Sequence, residues 1–274
     1  AGTIGGGIRC NGGSDVNSGG TSYFYGGRIS DNTAERNTGG LSCGPAGDKF
    51  ASKIYVKSMN IENNVGKNGI GGMRIPASAG GTNSKEVSII NCRIQGNKTQ
   101  ENSGGLQIDG SVIVENSVFD RNYSKKNGGG IYINNGTLLI SSGTVSGNSS
   151  DENGDGIYVK GIFKIGSNVH IDDKNEVYLT RGTYIDVLER ISKTWGLIAK
   201  INSEVNANGT RLVKVSYGGT KASEELYHED GKNSERYQCI SISGPKLLRP
   251  SDNVNGYEDI WIIISEKYKI EYDK

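Results

Sequence analysis

The sequence is poor in the residues that build disulfide-rich, proline-rich or aromatic-rich proteins. Its 274 residues include only 4 prolines, 4 cysteines, 2 tryptophans and 4 phenylalanines. So few cysteines, none of them in a CxxC pair, argue against a disulfide scaffold and a zinc site. Low proline beside 42 glycines is unlike the composition of collagen or of proline-rich disordered chains. We expect one elongated domain or two small ones.

Net charge and long apolar runs are also lacking. The 31 basic and 30 acidic residues leave a formal charge of +1, which gives no long-range attraction for nucleic acid or an anionic membrane. The longest strongly apolar run, 260–264, is far shorter than the roughly 20 residues of a membrane-spanning helix. We therefore expect no nucleic-acid partner and no transmembrane segment.

A repeated glycine pattern is the main positive signal. A small residue, a glycine and an apolar-x-apolar triplet recur six times, beginning at Gly6-Gly7, Gly39-Gly40, Gly71-Gly72, Gly104-Gly105, Gly129-Gly130 and Asp155-Gly156. Eight residues before each of the last five second glycines stands an asparagine: Asn32, Asn64, Asn97, Asn122 and Asn148. The second glycines are 33, 32, 33, 25 and 26 residues apart. Such self-similarity indicates a solenoid.

Within each unit the apolar residues alternate with a period of two, which is typical of strands and not of helices. Each unit is therefore expected to be a coil of about three short strands, stacked on the next coil by parallel hydrogen bonds. The sequence predicts an all-β parallel β-helix of about six coils over residues 1–182. The length differences fall at 11–21, 44–52 and 76–85, where insertions in the first three coils should form a rim on one face.

The recurring residues have structural roles in this fold. The glycine either adopts a positive φ or allows close backbone approach at a sharp corner, and the asparagines are predicted to form a ladder that satisfies turn amides. Two inward columns are expected: Ile8, Leu41, Met73, Leu106, Ile131, Ile157 and Cys10, Cys43, Ile75, Ile108, Ile133, Val159. Cys10 and Cys43 are then neighbours, either as two buried thiols or as a disulfide.

The residue between the two inward positions must point outward. This outward column is Arg9, Ser42, Arg74, Gln107, Tyr132 and Tyr158. Its candidate ligand-binding members are Arg9, Arg74, Gln107, Tyr132 and Tyr158, which could bind an acidic or neutral glycan by hydrogen bonds and ring stacking. Alternatively, these residues are simply a solvated strand face.

Catalysis is not expected. A glycosidase needs two carboxyl groups about 5 to 9.5 Å apart, and a calcium-assisted lyase needs clustered carboxylates, whereas the outward column has neither Asp nor Glu. Asp15, Asp48 and Asp109 lie nearby in sequence, but a role in turns explains them more simply. We expect no enzymatic activity, no metal and no cofactor.

The C-terminal region has fewer glycines and longer apolar runs. Strands are predicted at 183–187, 211–216, 237–243 and 259–265, and 193–203 is ambiguous between strand and short helix. The runs 260–264 and 268–272 are expected to form a hairpin. Because a β-helix exposes strand edges at its ends, residues 183–274 are predicted to be a β-rich cap or a small β domain.

Several segments carry a family resemblance. Gly128-Gly-Gly-Ile-Tyr-Ile133, Gly136-Thr-Leu-Leu-Ile140 and Gly143-Thr-Val-Ser-Gly-Asn-Ser-Ser150 resemble the right-handed parallel β-helix repeats of bacterial surface proteins, including those of spirochaetes. Phe119-Asp-Arg-Asn122 and Gly104-Gly105-Leu106 are similar to the FxxN and GGA[ILV] motifs of chlamydial polymorphic membrane proteins.

The resemblance implies a right-handed coil and a bacterial cell-surface or secreted location. It also implies an adhesin-like function in which the partner is a host or cell-surface protein or a glycan. The alternatives are a carbohydrate-binding β-helix module and a polysaccharide lyase or hydrolase. None of these functions is assigned to particular residues by the resemblance itself.

Overall fold

The computed structural model describes residues 6–10, 21–43, 53–77, 87–172, 174–189, 199–205, 211–216, 240–242, 247–250 and 259–264. Within these ranges the chain forms 28 β-strands and no helix. The predicted all-β fold with parallel strands is thereby confirmed for the described residues. A helix long and apolar enough to cross a membrane is likewise absent from these ranges.

The first sheet is a stack of nine parallel strands. In spatial order they are β1 (Ile8–Cys10), β5 (Leu41–Cys43), β9 (Met73–Ile75), β13 (Leu106–Ile108), β17 (Ile131–Ile133), β20 (Ile157–Val159), β22 (Val177–Leu179), β24 (Ala199–Ser203) and β26 (Ile240–Ile242). The repeated glycine pattern immediately precedes the first six of these strands. The spatial order of the strands is their order along the chain.

The second sheet has two parallel arms that meet in one long strand. One arm contains β2 (Thr21–Tyr25), β6 (Lys53–Lys57), β10 (Val87–Ile90) and β14 (Ser111–Glu115), and the other contains β3 (Arg28–Ser30), β7 (Asn60–Glu62), β11 (Arg93–Gln95) and β15 (Ser117–Asp120). Both arms pair with β18 (Thr137–Ser146), which is followed in space by β21 (Ile162–Ile171), β23 (Ile185–Val187) and β25 (Arg211–Val215). The sheet ends in two antiparallel strands, β28 (Asp259–Ile264) and β27 (Leu247–Pro250).

The third sheet is short and parallel. It contains β4 (Thr33–Thr38), β8 (Val65–Ile70), β12 (Lys98–Thr99), β16 (Tyr123–Ser124) and β19 (Ser149–Ser150). The chain therefore visits the first, second and third sheets in turn and then returns beside its own earlier strand. We call each such circuit a pass. Up to β19, every pass adds at least one strand to each sheet, and within the described residues the later passes add strands to the first and second sheets only.

The hydrophobic core is built mainly from side chains of the first and second sheets. Within each predicted inward column of the first sheet, successive members are register partners on neighbouring strands. Leu41, Met73, Leu106, Ile131 and Ile157 have no exposed surface. Ile8 is the exception at 44 % exposure, because β1 is the outermost strand of its sheet. Cys10 is the register partner of Cys43, so these residues are neighbours as expected; whether they form a disulfide stays a prediction.

The recurring glycines are required by close approach and not by a positive φ. A Cβ atom on Gly40, Gly72, Gly105 or Gly130 would lie 2.3 to 2.6 Å from the carbonyl oxygen of the matching glycine in the next pass, and none of the four has a positive φ. The left-handed conformation occurs instead one residue before each ladder asparagine, at Asp31, Asn63, Gly96, Arg121 and Gly147.

Parallel pairing continues beyond residue 182. Strands β23 and β25 extend the second sheet, and β24 and β26 extend the first sheet. The ambiguous segment 193–203 is a strand in its last five residues, Ala199–Ser203. The division into 1–182 and 183–274 stays a prediction.

Two other predictions fall on parts of the chain that are not described. Strand β28 pairs with β25 and β27, while its predicted hairpin partner, 268–272, lies outside the described residues. The rim insertions at 11–21, 44–52 and 76–85 also lie almost wholly outside them.

Candidate functional site

The predicted outward residues form one column on the first sheet. Strand pairing aligns Arg9 with Ser42, Arg74, Gln107, Tyr132 and Tyr158 in that order, and continues the column to Tyr178 and Asn202. All of these side chains are partly exposed except that of Ser42, which is buried. The alternation of each strand produces this arrangement, because from Ser42 onward the residues on either side of each outward position are buried.

Three tyrosines at the centre of the column stack on one another. We call Tyr132, Tyr158 and Tyr178 the tyrosine row: the ring centroids are 5.1 Å and 5.3 Å apart, and the planes are inclined by 8° and 9°. Both faces of the Tyr158 ring are therefore occupied by its neighbours. A ligand at Tyr158 would meet the ring edge and the hydroxyl group, and not the ring face that the sequence led us to expect.

Tyr178 was not among the predicted site residues. Its signal in the sequence is the apolar-x-apolar triplet Val177-Tyr178-Leu179, which repeats Ile157-Tyr158-Val159. The glycine pair that marks the earlier strands is missing before Val177, so the repeat pattern does not find it. Strand pairing places Tyr178 directly beside Tyr158.

The hydroxyl groups of the tyrosine row are held in the neutral form. Burial raises the pKa of Tyr132, and the negative charge of Asp109 raises it further. Burial is also the largest cause of the raised pKa of Tyr158 and of Tyr178, followed at Tyr178 by the charges of Glu204 and Glu176. Neutral phenols both donate and accept hydrogen bonds. Within the described ranges, the three hydroxyls have no hydrogen-bond partner.

Asp109 organises the polar end of the column. Its carboxylate accepts hydrogen bonds from Arg74 Nε at 3.0 Å, from Gln107 Nε2 at 3.2 Å and from Asn134 Nδ2 at 2.8 Å. The Asp109 side chain is only 9 % exposed. The carboxylate is thus engaged on both oxygens and fixes Arg74 and Gln107 in place. The other two carboxylates considered from the sequence, Asp15 and Asp48, lie outside the described residues.

The predicted ladder asparagines lie in a second column between the third and second sheets, and this column is buried except at Asn32. Each one donates from its backbone N–H and its Nδ2 to Oδ1 of the next, at 2.8 to 3.1 Å, through Asn32, Asn64, Asn97, Asn122, Asn148 and, beyond the predicted set, Asn175. The Nδ2 groups of Asn64, Asn97, Asn122 and Asn148 also donate to a main-chain carbonyl of an earlier pass at 2.9 Å. These amides are structural groups and are not available to a ligand.

Neither a search for metal sites nor comparison with known proteins assigns a function to the chain. The described part of the chain contains no group of three or more His, Cys, Asp or Glu side chains that could hold a metal ion. No protein-family model matches the sequence, and no curated protein or solved structure is significantly similar to it. The tyrosine row and its polar end are therefore the candidate functional site.

Proposed function

We propose that the chain is a right-handed parallel β-helix that works by binding, as a bacterial surface or secreted protein that contacts host or neighbouring-cell molecules. Parallel strands stack in chain order in the first and third sheets and in both arms of the second sheet, which supports the β-helix. Crossover connections between parallel strands are right-handed in almost all proteins, which supports the handedness. The asparagine ladder, continuous over six passes, supports regular stacking.

The tyrosine row is the observation that carries the proposal of binding. It presents three neutral hydroxyl groups in a line, on rings that are already fixed by stacking at 5.1 and 5.3 Å. Fixed aromatic side chains lose little conformational entropy when a partner binds, and tyrosine is enriched among the residues that dominate binding energy. A surface of this kind favours adhesion.

The state of Asp109 supports binding over catalysis. A general acid or nucleophile needs a carboxyl group directed at the substrate, whereas the Asp109 side chain is only 9 % exposed and accepts hydrogen bonds from three side chains. Asp109 accordingly positions Arg74 and Gln107 for contact with a partner.

An adhesion assay tests this function. The protein on beads should bind epithelial cells or purified extracellular-matrix components, and the variant Tyr132→Ser/Tyr158→Ser/Tyr178→Ser should lose roughly tenfold or more in affinity. Tyr123→Ser, on the third sheet, is the matched control and should bind normally. Absence of binding by the unchanged protein, or equal binding by the triple variant, would refute the proposal.

Carbohydrate binding is the second candidate function. The regular spacing of the tyrosine rings favours a linear glycan that places similar groups along the row. A glycan array separates the two candidates, because a protein ligand alone would leave every glycan unbound. Cleavage of a polysaccharide that is abolished in Asp109→Ala would instead favour the lyase or hydrolase alternative.

A further inference from the structure

A second cluster of aromatic side chains lies on the outer face of the second sheet, away from the tyrosine row. It consists of Tyr23 and Tyr25 on β2 and Tyr55 on β6, and we call it the tyrosine platform. Tyr23 and Tyr55 are register partners whose rings stack with centroids 5.2 Å apart and planes inclined by 11°. The Tyr25 ring lies 5.6 Å from that of Tyr23, inclined by 31°.

The platform is unusually exposed. Tyr23 and Tyr25 retain 59 % and 62 % of their surface, more than any other large hydrophobic side chain of the described residues. Strand β2 is the outermost strand of its arm, so within the described ranges no strand pairs with it on the side of Tyr23 away from Tyr55. This differs from the tyrosine row, where neighbours occupy both faces of Tyr158. An open aromatic face is a surface on which a ligand can stack.

Two lysines stand beside the platform on the same face. In the pairing of β2 with β6, Lys53 is opposite Thr21 and Lys57 is opposite Tyr25, and both lysines are exposed. In the part of the chain that the structure describes, no carboxylate forms an ion pair with either lysine. The surface therefore combines open aromatic faces with two cations.

We propose that the tyrosine platform, together with Lys53 and Lys57, binds an acidic carbohydrate. A pyranose ring has a flat face of C–H groups, which packs on an open aromatic ring, and a rim of polar groups, which reaches the neighbouring side chains. The tyrosine hydroxyls and the lysine ammonium groups surround the rings and suit a rim that carries carboxylate or sulfate. The platform is a flat surface, unlike the pockets in which aromatic anchors of protein–protein interfaces are buried.

A binding assay with acidic polysaccharides tests this site. Alginate, polygalacturonate, hyaluronan, chondroitin sulfate and heparin are immobilised, with methyl-esterified polygalacturonate as an uncharged match for one of them. We expect at least one acidic polymer to bind, and Tyr23→Ala and Tyr25→Ala each to weaken that binding by roughly tenfold. Tyr23→Phe retains the ring and should retain most of the binding.

The lysines and a tyrosine of the third sheet supply the remaining comparisons. Lys53→Gln/Lys57→Gln should weaken the binding and make it less dependent on salt, because exposed charges are screened by ions. Tyr123→Ala, on the third sheet, should leave it unchanged. The proposal fails if no acidic polymer binds, if Tyr23→Ala binds normally, or if the esterified polymer binds as well as the acid.

Discussion

Glycine and asparagine keep a fixed separation in the sequence because they meet across neighbouring passes. A Cβ atom on Gly105 would lie 3.0 Å from Asn122 Nδ2, and one on Gly130 would lie 2.9 Å from Asn148 Nδ2. Each glycine thus makes room for the asparagine of the next pass. A shift of either residue along the chain would place a side chain against the ladder, so insertions are accommodated elsewhere in the pass.

Replacement of a central ladder residue should be strongly destabilising. In Asn122→Ala, the bonds from Asn122 Nδ2 to Ile94 O and Asn148 Oδ1 are lost, and the Asn97 donors lose their acceptor. Because buried polar groups without partners are costly, we expect the free energy of unfolding to fall by about 2 to 4 kcal/mol. Denaturant unfolding measures this. Asn153→Ala, which removes one partly exposed bond to Asn127, should cost less than about 1 kcal/mol; similar losses would contradict the prediction.

Two glycine substitutions separate close packing from backbone conformation. Gly130→Ala should lower the free energy of unfolding by about 3 kcal/mol, because its Cβ would lie 2.6 Å from Gly156 O. Gly26 has a φ of +68° and nothing within 4 Å of its Cβ position, so Gly26→Ala should cost only about 1 kcal/mol. The opposite ranking in denaturant unfolding would contradict the view that close approach dictates the repeated glycine.

Two buried serines are matched in residue type but differ in their hydrogen bonds. Ser124 Oγ is buried without a partner, so Ser124→Ala should leave stability unchanged or raise it by up to about 1 kcal/mol. Ser117 Oγ donates to Glu115 O and accepts from Cys92 N, and Ser117→Ala should cost about 1 to 3 kcal/mol. Thermal unfolding of the two variants provides the comparison, and equal effects would contradict it.

At the scale of strands, the tyrosine row links stability to alkaline pH. Folding raises the pKa of Tyr132, Tyr158 and Tyr178 above the ordinary value of 10.0, so the folded chain holds these protons more tightly than the unfolded chain does. Their contribution is complete below about pH 10 and is lost as the pH rises through the higher folded values. We expect the melting temperature to fall in this alkaline range.

The triple variant Tyr132→Phe/Tyr158→Phe/Tyr178→Phe keeps the stacked rings without ionisable groups. Its melting temperature should therefore decline less than that of the unchanged protein between about pH 9 and pH 12, since fewer groups change protonation. Tyrosinate absorbance measured in the same samples reports the ionisation directly. Identical pH profiles for the two proteins would mean that the row does not contribute to this dependence.

The same strands show which features can be read from the sequence. Strict alternation after each glycine pair identifies Tyr132 and Tyr158 as outward and their neighbours as core. Tyr178 and Asn175 are missed because the glycine pair and the spacing that marks earlier passes are absent near them.

The tyrosine platform is also missed by sequence patterns, because Tyr23 and Tyr55 are 32 residues apart and become partners only through the register of β2 and β6. The contacts of Asp109 depend on side-chain conformations from three different strands and turns, which no sequence pattern records.

At the scale of the whole chain, the parallel stack does not end where the repeat becomes unrecognisable. Phe163 and Ile165 on β21 pair with Ile185 and Val187 on β23, and all four side chains are buried. Strand β22 is likewise covered by β24. Composition changes after residue 182, but the apolar alternation that builds the core continues through Val213 on β25.

Two fragments of the chain test whether residues 1–182 form an independent unit. The fragment 1–182 lacks the strands that cover Phe163 and Ile165, and each large apolar side chain that becomes exposed costs about 1.5 to 3 kcal/mol. It also leaves two parallel strand edges without partners, which favours association between molecules. We expect this fragment to aggregate or to melt well below the full chain. The fragment 1–216 keeps β23, β24 and β25, and its melting temperature should remain closer to that of the full chain.

Light scattering measures the aggregation of each fragment, and thermal unfolding measures its melting temperature. A monomeric fragment 1–182 with the melting temperature of the full chain would contradict this expectation and would establish residue 182 as a domain boundary.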